Sequence, residues 1–317
     1  CASGLYDSFM RFVSLSILRL RRNFNWFQIR MSSIAKEEKK TVDDYPFHLK
    51  PLKLGAEITG IDLKEELSDE TIDLIKKFVT KYRLLVFRNQ GKVSGSRQVE
   101  IASWFGQLES TFYKHPRSPH PDVFRVSNDE SEGCTRVGRT GWHIDGSFQE
   151  KPFSHSIYHM YSVPSQSFTN FVGMKELFDQ LSDSQKERWR KTSMISNMQT
   201  GPVHPLVYTH PESNEITLCF HTGMTQAFAL NVGTPEMRAT RYSETMNILQ
   251  EIKDHITKTC KDSIYHHKYS KNGDFIITDN LAVAHEASED TQLSREEIGL
   301  RILHRCTVAG KSVPTQK

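Results

Sequence analysis

The sequence predicts an α+β fold, mainly β: a double-stranded β-helix (jelly roll) with flanking helices. Three observations lead there. Strand-like runs dominate the middle and the end of the chain, and helical patterns flank those runs instead of alternating with them. No internal repeat or low-complexity tract breaks the pattern beyond about residue 45. At 317 residues the chain is long enough to bury one large core.

Taken in order, residues 1–30 stand apart, with five arginines (Arg11, Arg19, Arg21, Arg22, Arg30), several serines and one acid, Asp7. That is the composition of a mitochondrial presequence or of a translated leader, and Met31 is an alternative start, so the segment is set outside the fold. Residues 31–45 read as a linker, 46–311 as a single catalytic domain and 312–317 as a tail. Ser68 is placed to cap a helix that carries Asp69 and Glu70 in its first turn and Ile72, Ile75, Phe78, Val79 and Tyr82 on its apolar face. Leu84 to Phe87 is a short buried strand, and a second helix over Gln98 to Trp104 stops at Gly106. Short β-like runs separated by turns fill Val123 to Tyr161. Ser243 is expected to cap a further helix containing Met246, Leu249, Ile252 and Ile256. Asn272-Gly273 signals a turn, and Phe275 to Thr278 after it a strand.

Composition narrows the function. Hydrophobic residues make up 37% and charged residues 25%, as in a soluble globular protein. A formal charge of +3 is too small to make nucleic acid or an anionic membrane the main partner, and no stretch approaches the twenty or so apolar residues of a membrane span. The five cysteines are scattered, odd in number and without a Cys-x-x-Cys pair, so neither a zinc cluster nor a disulfide framework is indicated. A reducing, cytoplasmic compartment is expected, or a mitochondrial one if residues 1–30 are a genuine presequence. Any metal must then be held by histidine and carboxylate. Homo-oligomerisation stays open.

His143-Ile144-Asp145 is the central motif. On a strand, residues i and i+2 share a face, so one imidazole and one carboxylate can reach one metal. By itself the motif is weak, because fourteen histidines make about one His-x-acid match expected by accident. Two further matches exist, His120-Pro121-Asp122 and His210-Pro211-Glu212, and their central prolines read as loop punctuation.

Context separates the three. The run Trp142-His143-Ile144-Asp145-Gly146-Ser147-Phe148 resembles the Trp-His-x-Asp-x-x-Phe pattern of the taurine dioxygenase family, whose members are non-haem Fe(II)- and 2-oxoglutarate-dependent dioxygenases. His204-Pro205-Leu206-Val207-Tyr208-Thr209-His210-Pro211 is similar to that family's His-Pro-x-x-x-Thr-His-Pro segment. His285 after Asp279-Asn280, and Arg301 to Arg305, resemble its distal histidine and its Arg-x-x-x-Arg pair. The resemblance runs in unbroken order over roughly residues 48 to 310.

It implies Fe(II) held by His143, Asp145 and His285, with 2-oxoglutarate and O2 as co-substrates. A set of two histidines and one carboxylate leaves open positions on the metal for them. The resemblance gives Arg301 the far carboxylate of 2-oxoglutarate, which a guanidinium fork matches bidentately, with Thr169 hydrogen-bonded to the same group. It gives Arg305 the anionic group of the substrate, with His115 and Arg139 on the substrate side. The expected reaction is oxidation, normally hydroxylation, of a C–H bond in a small sulfonate, phosphonate or carboxylate, with release of succinate and CO2. Desaturation or ring closure at the same site, and a non-catalytic jelly-roll binding protein, are the alternatives. The sequence also departs from the family. The usual Gly-Gly-Asp before Thr169 is absent, Ser118 stands where a tyrosine is expected, and extra residues around Glu289 to Glu297 suggest an inserted loop.

Overall fold

The computed structural model describes residues 45–109, 114–135, 137, 141–197 and 201–316. The chain divides into two units at His48/Leu49, and the elements below lie in the second except for His48, the first residue of β1. Strands β1 (His48–Pro51), β2 (Ala56–Thr59) and β3 (Leu84–Phe87) come first, with helix α1 (Asp69–Tyr82) before β3 and α2 (Gly95–Ser103) after it. Then follow β4 (Phe124–Ser127), β5 (His155–Ser162), β6 (Phe168–Gly173), α3 (Met174–Asp179) and α4 (Asp183–Arg190). The middle holds β7 (Ser193–Ser196), β8 (Val203–Pro205), β9 (Val207–Thr209), β10 (Ile216–Leu218), β11 (Thr225–Leu230), β12 (Arg238–Ala239) and α5 (Tyr242–Asp254). The chain closes with β13 (Tyr265–Lys268), β14 (Phe275–Asp279), β15 (Val283–Ala287), the single turn α6 (Arg295–Ile298) and β16 (Ile302–Val308).

Seven strands form the main sheet in the order β1-β2-β3-β14-β5-β16-β4, and a smaller sheet has the order β13-β6-β15. The β2–β3 pair is parallel and crosses over through α1, while β3, β14, β5, β16 and β4 pair antiparallel in turn, as do β13, β6 and β15. One apolar cluster lies between the two sheets. Leu84, Val86, Ile276, Tyr158, Met160, Leu303, Phe124 and Val126 come to it from the large sheet, and Phe171 and Val283 from the small one. Strands buried on one face alternate their side chains with period two, which is why residues 158 and 160, 124 and 126, and 84 and 86 all point inward. The other face of the large sheet carries α2, whose Gln98 amide donates to the carbonyls of Ile157 and His304.

Local chemistry explains most element boundaries. The Ser68 hydroxyl accepts from the Thr71 N–H at the start of α1, satisfying one of the unpaired first-turn donors. Helix α2 begins three residues earlier than its apolar pattern suggests, because Ser94 caps it through the Arg97 N–H. Ser243 does not cap α5. The helix starts one residue before it, and the Glu244 carboxylate accepts from the Arg241 N–H and so closes the first turn. Gly273 has a φ of +77°, as the Asn-Gly turn requires, and β14 follows. Among the described residues no helix is long and apolar enough to cross a membrane.

Candidate metal centre and co-substrate pocket

His143 and Asp145 do not lie on a regular strand. The segment from Gly141 to Gly146 is irregular, and His143 forms isolated bridges to His221 on one side and His285 on the other. The His143 N–H donates to the His285 carbonyl at 3.1 Å, and the His285 N–H donates back at 2.9 Å. Two residues 142 positions apart are thereby fixed side by side, their ring centroids 4.3 Å apart. Asn280 holds the backbone of the third residue. Its side-chain oxygen accepts from the Asp145 N–H at 2.9 Å, and its amide donates to the carbonyls of Asp145 (2.9 Å) and Phe153 (2.7 Å). Gly146 follows at φ +72°, and a Cβ there would meet the Phe153 ring at 2.7 Å, so the turn out of the motif demands glycine.

These three side chains are buried, and their ligand atoms all lie within 4.8 Å of one another. His143 Nε2 is 3.9 Å from Asp145 Oδ1, and His285 Nε2 is 3.8 Å from Oδ2. The His143 Nδ1–H donates to the Gly141 carbonyl at 2.6 Å, which leaves Nε2 with the lone pair. Burial pushes the His285 imidazole down to about 3 and that of His143 in the same direction, so both are neutral at pH 7. Burial alone would raise the Asp145 carboxyl. The Arg305 guanidinium outweighs it, and the Ser156 hydroxyl assists, holding the group far below the usual carboxylate range. Two neutral nitrogens and one carboxylate on one side of a cavity fit a divalent first-row metal and leave its other side open.

The same cavity is lined by Tyr158, Thr169, Arg301, Leu303 and Arg305. Residues 301, 303 and 305 share one face at the start of β16, and the cross-strand partners of Arg305 are Tyr158 on β5 and Phe124 on β4. Arg301 is only 5% exposed, and no acceptor among the described residues binds its buried Nε. Its backbone is clamped, N–H to Asn128 Oδ1 at 2.8 Å and carbonyl from the Ser127 hydroxyl at 2.7 Å. Burial lowers its pKa, the expected consequence of a cation with no counter-ion among the described residues. Thr169 Oγ1 lies 3.0 Å from the Tyr269 hydroxyl, and both are buried.

Arg305 does have a partner. Its Nη1 donates to Asp145 Oδ1, and its guanidinium lies 5.1 Å over the Phe124 ring. It does not turn to the acids of the extra loop: Glu297 accepts from the Ser294 N–H, and Glu296 is exposed. That loop forms a 3-10 turn over Glu289–Gln292 followed by α6.

His115 is not brought to the cavity. It sits in a surface loop, Nδ1 accepting from the Arg117 N–H at 3.2 Å and Nε2 3.2 Å from the Glu130 carbonyl. Arg139 lies outside the described residues. The His120 motif is half-exposed in a loop, as its proline suggests, but His210 is a correction to the reading of the third motif. His210 is 2% exposed, and Nε2 contacts Asp279 Oδ1 at 3.1 Å, which braces the residue next to Asn280 and so the turn that carries Asp145. Sequence reasoning also passed over Ser156, Tyr158, Tyr269 and His221. The first two could have been found from the period-two alternation of β5 once that strand was delimited. His221 stacks on His143 with centroids 4.5 Å apart, a contact for which the sequence carries no signal.

Residues 46–307 match the taurine catabolism dioxygenase TauD, TfdA family. An alpha-ketoglutarate-dependent 2,4-dichlorophenoxyacetate dioxygenase from Cupriavidus pinatubonensis is 27% identical over 80% of this chain and 94% of its own length. An alkylsulfatase from Acinetobacter baylyi is 24% identical over 82% of this chain and 83% of its own. The crystal structure of a taurine dioxygenase from Burkholderia xenovorans superposes with a TM-score of 0.67 at 24% identity, covering 85% of this chain and 93% of that one.

Proposed function

The chain belongs to the taurine catabolism dioxygenase TauD, TfdA family, and from that membership we propose an Fe(II)- and 2-oxoglutarate-dependent dioxygenase that hydroxylates a small anionic substrate. In this reading His143, Asp145 and His285 hold the iron, and the two facing sheets are the double-stranded β-helix that presents them. The observation that carries it is a cluster of two neutral imidazoles and one carboxylate at a cavity that also holds a buried arginine whose Nε has no acceptor among the described residues. Bound Fe(II) supplies oxygen activation coupled to decarboxylation of 2-oxoglutarate to succinate and CO2.

The protein's own residues bind, orient and exclude water. Arg301 takes the far carboxylate of 2-oxoglutarate, which relieves its unpaired burial, and Thr169 with Tyr269 offers hydroxyls beside it. Arg305 has five N–H donors and uses one on Asp145, so it retains donors for an anionic substrate. Leu303 and Val126 supply the apolar wall that keeps the site dry. Relatives named for an aryloxyacetate and for alkyl sulfates support a substrate bearing a carboxylate, sulfonate, phosphonate or sulfate ester. Residues 46–311 form the catalytic domain, so a chain lacking residues 1–30 keeps its turnover.

The experiment is iron-dependent succinate formation from 2-oxoglutarate, with a panel of such anions and their neutral analogues. Stimulation by an anion, with an oxygen atom incorporated into it, is the expected result. No succinate with any substrate indicates a binding protein, dehydrogenated or cyclised products place the site in desaturation or ring closure, and equal turnover of neutral analogues removes the role of Arg305.

A further inference from the structure

We propose that Ser156 and Tyr158 confine Asp145 to a single ligating oxygen, Oδ1, and so keep a coordination position free for the co-substrate. This rests on the metal-site reading above and concerns how the carboxylate is presented. The two residues are i and i+2 on β5 and project to one face. Ser156 is fully buried and its Oγ donates to Asp145 Oδ2 at 2.7 Å, while the Tyr158 hydroxyl, also buried, donates to the same oxygen at 3.0 Å. Both lone-pair directions of Oδ2 are therefore filled. Among the described residues, Oδ1 accepts from Arg305 Nη1 alone. A carboxylate offers about four lone-pair sites, and with three occupied the one left is on Oδ1.

The Tyr158 oxygen is also 3.2 Å from His285 Nε2. That contact gives way when Nε2 binds a metal, whereas the bond to Oδ2 is compatible with metal on Oδ1. Asn280 fixes only the backbone of Asp145, so the torsion of the carboxylate is set by Ser156, Tyr158 and Arg305. Ser156 and Tyr158 are thus positioning residues. Without both hydroxyls, Oδ2 is free to rotate towards the metal and chelate it, taking a position that the keto acid needs.

The test uses the full chain with Co(II) and Zn(II), without turnover. Ser156→Ala and Tyr158→Phe are each expected to lower Co(II) affinity by about tenfold to a hundredfold, the usual cost of removing an outer partner of a ligand. The double variant should lose less than the product of the two, because both hydroxyls act on one oxygen. In protein carrying 13C-carboxyl aspartate, the Zn(II)-minus-metal-free infrared difference spectrum should show widely separated monodentate carboxylate stretches for the wild type. The double variant should show the narrower bidentate splitting. Unchanged affinity and an unchanged spectrum overturn the inference, as does a bidentate wild type. Should Tyr158→Phe not fold, Ser156→Ala decides by the same two readouts. A wild type that binds no divalent metal removes the metal-site reading itself, which separates that failure from this one.

Discussion

His143-Ile144-Asp145 and His120-Pro121-Asp122 have the same two functional residues at the same spacing and have nothing else in common. The side chains of the first pair are 8% and 5% exposed, against 32% and 37% for the second. His143 is held by backbone bonds to His285, and Asp145 by Asn280. His120 instead uses Nδ1 to accept from the Asp122 N–H, a local turn that ties the imidazole to its own loop. What separates them is the set of distant segments that converge on the first motif. His210 of the third motif is intermediate: buried and hydrogen-bonded, but directed at Asp279 and away from the cavity, while Glu212 is exposed.

The largest expected effect separates these sites outright. His143→Ala or His285→Ala should lower succinate formation by more than about a hundredfold, beyond the loss that attends outer-shell partners, and weaken metal binding in parallel. Retention of full metal affinity in both would erase the distinction from His120. Next comes Arg301→Gln, which on the proposed role removes a charge-assisted bidentate contact with 2-oxoglutarate worth about 2–4 kcal/mol. The half-saturating 2-oxoglutarate concentration should rise by roughly 30- to 1000-fold with metal affinity unchanged. An unaltered requirement would mean that another cation, Arg305 first, carries that role.

His210 sharpens the comparison through pH. Burial lowers its pKa, but the hydrogen bond and charge of Asp279 prevail and raise it above 6.5. A raised folded-state pKa gives stability that is full below the unfolded value near 6.5 and is lost as pH rises through the folded value. Denaturant midpoints of wild type and His210→Gln should therefore lie furthest apart near pH 5.5, by about 1–3 kcal/mol, and converge at higher pH. A gap that widens with pH would assign His210 a different partner. The smallest effect is that of His120→Ala, within about 0.5 kcal/mol in stability and without change in metal affinity.

Much of this was legible in the chain because it is local. Ser68, the apolar spacing of α1, the Asn-Gly turn before β14 and the strand-rich order with flanking helices all follow from caps, periods and turns. The motif order also groups His143, Asp145, His285, Thr169, Arg301 and Arg305; the fold sets five of them around one cavity, with Asp145 beside the two histidines. What the sequence could not decide is every contact made between distant strands. The pairing of Arg305 with Asp145, the brace from His210 to Asp279, the stacking of His221 on His143, and the two β5 hydroxyls on Oδ2 join residues 11 to 160 positions apart. Sequence periodicity tells which face of a strand a side chain occupies. Only tertiary packing, which sets the register between β5, β16 and the irregular segment carrying Asp145, decides which atoms it meets there.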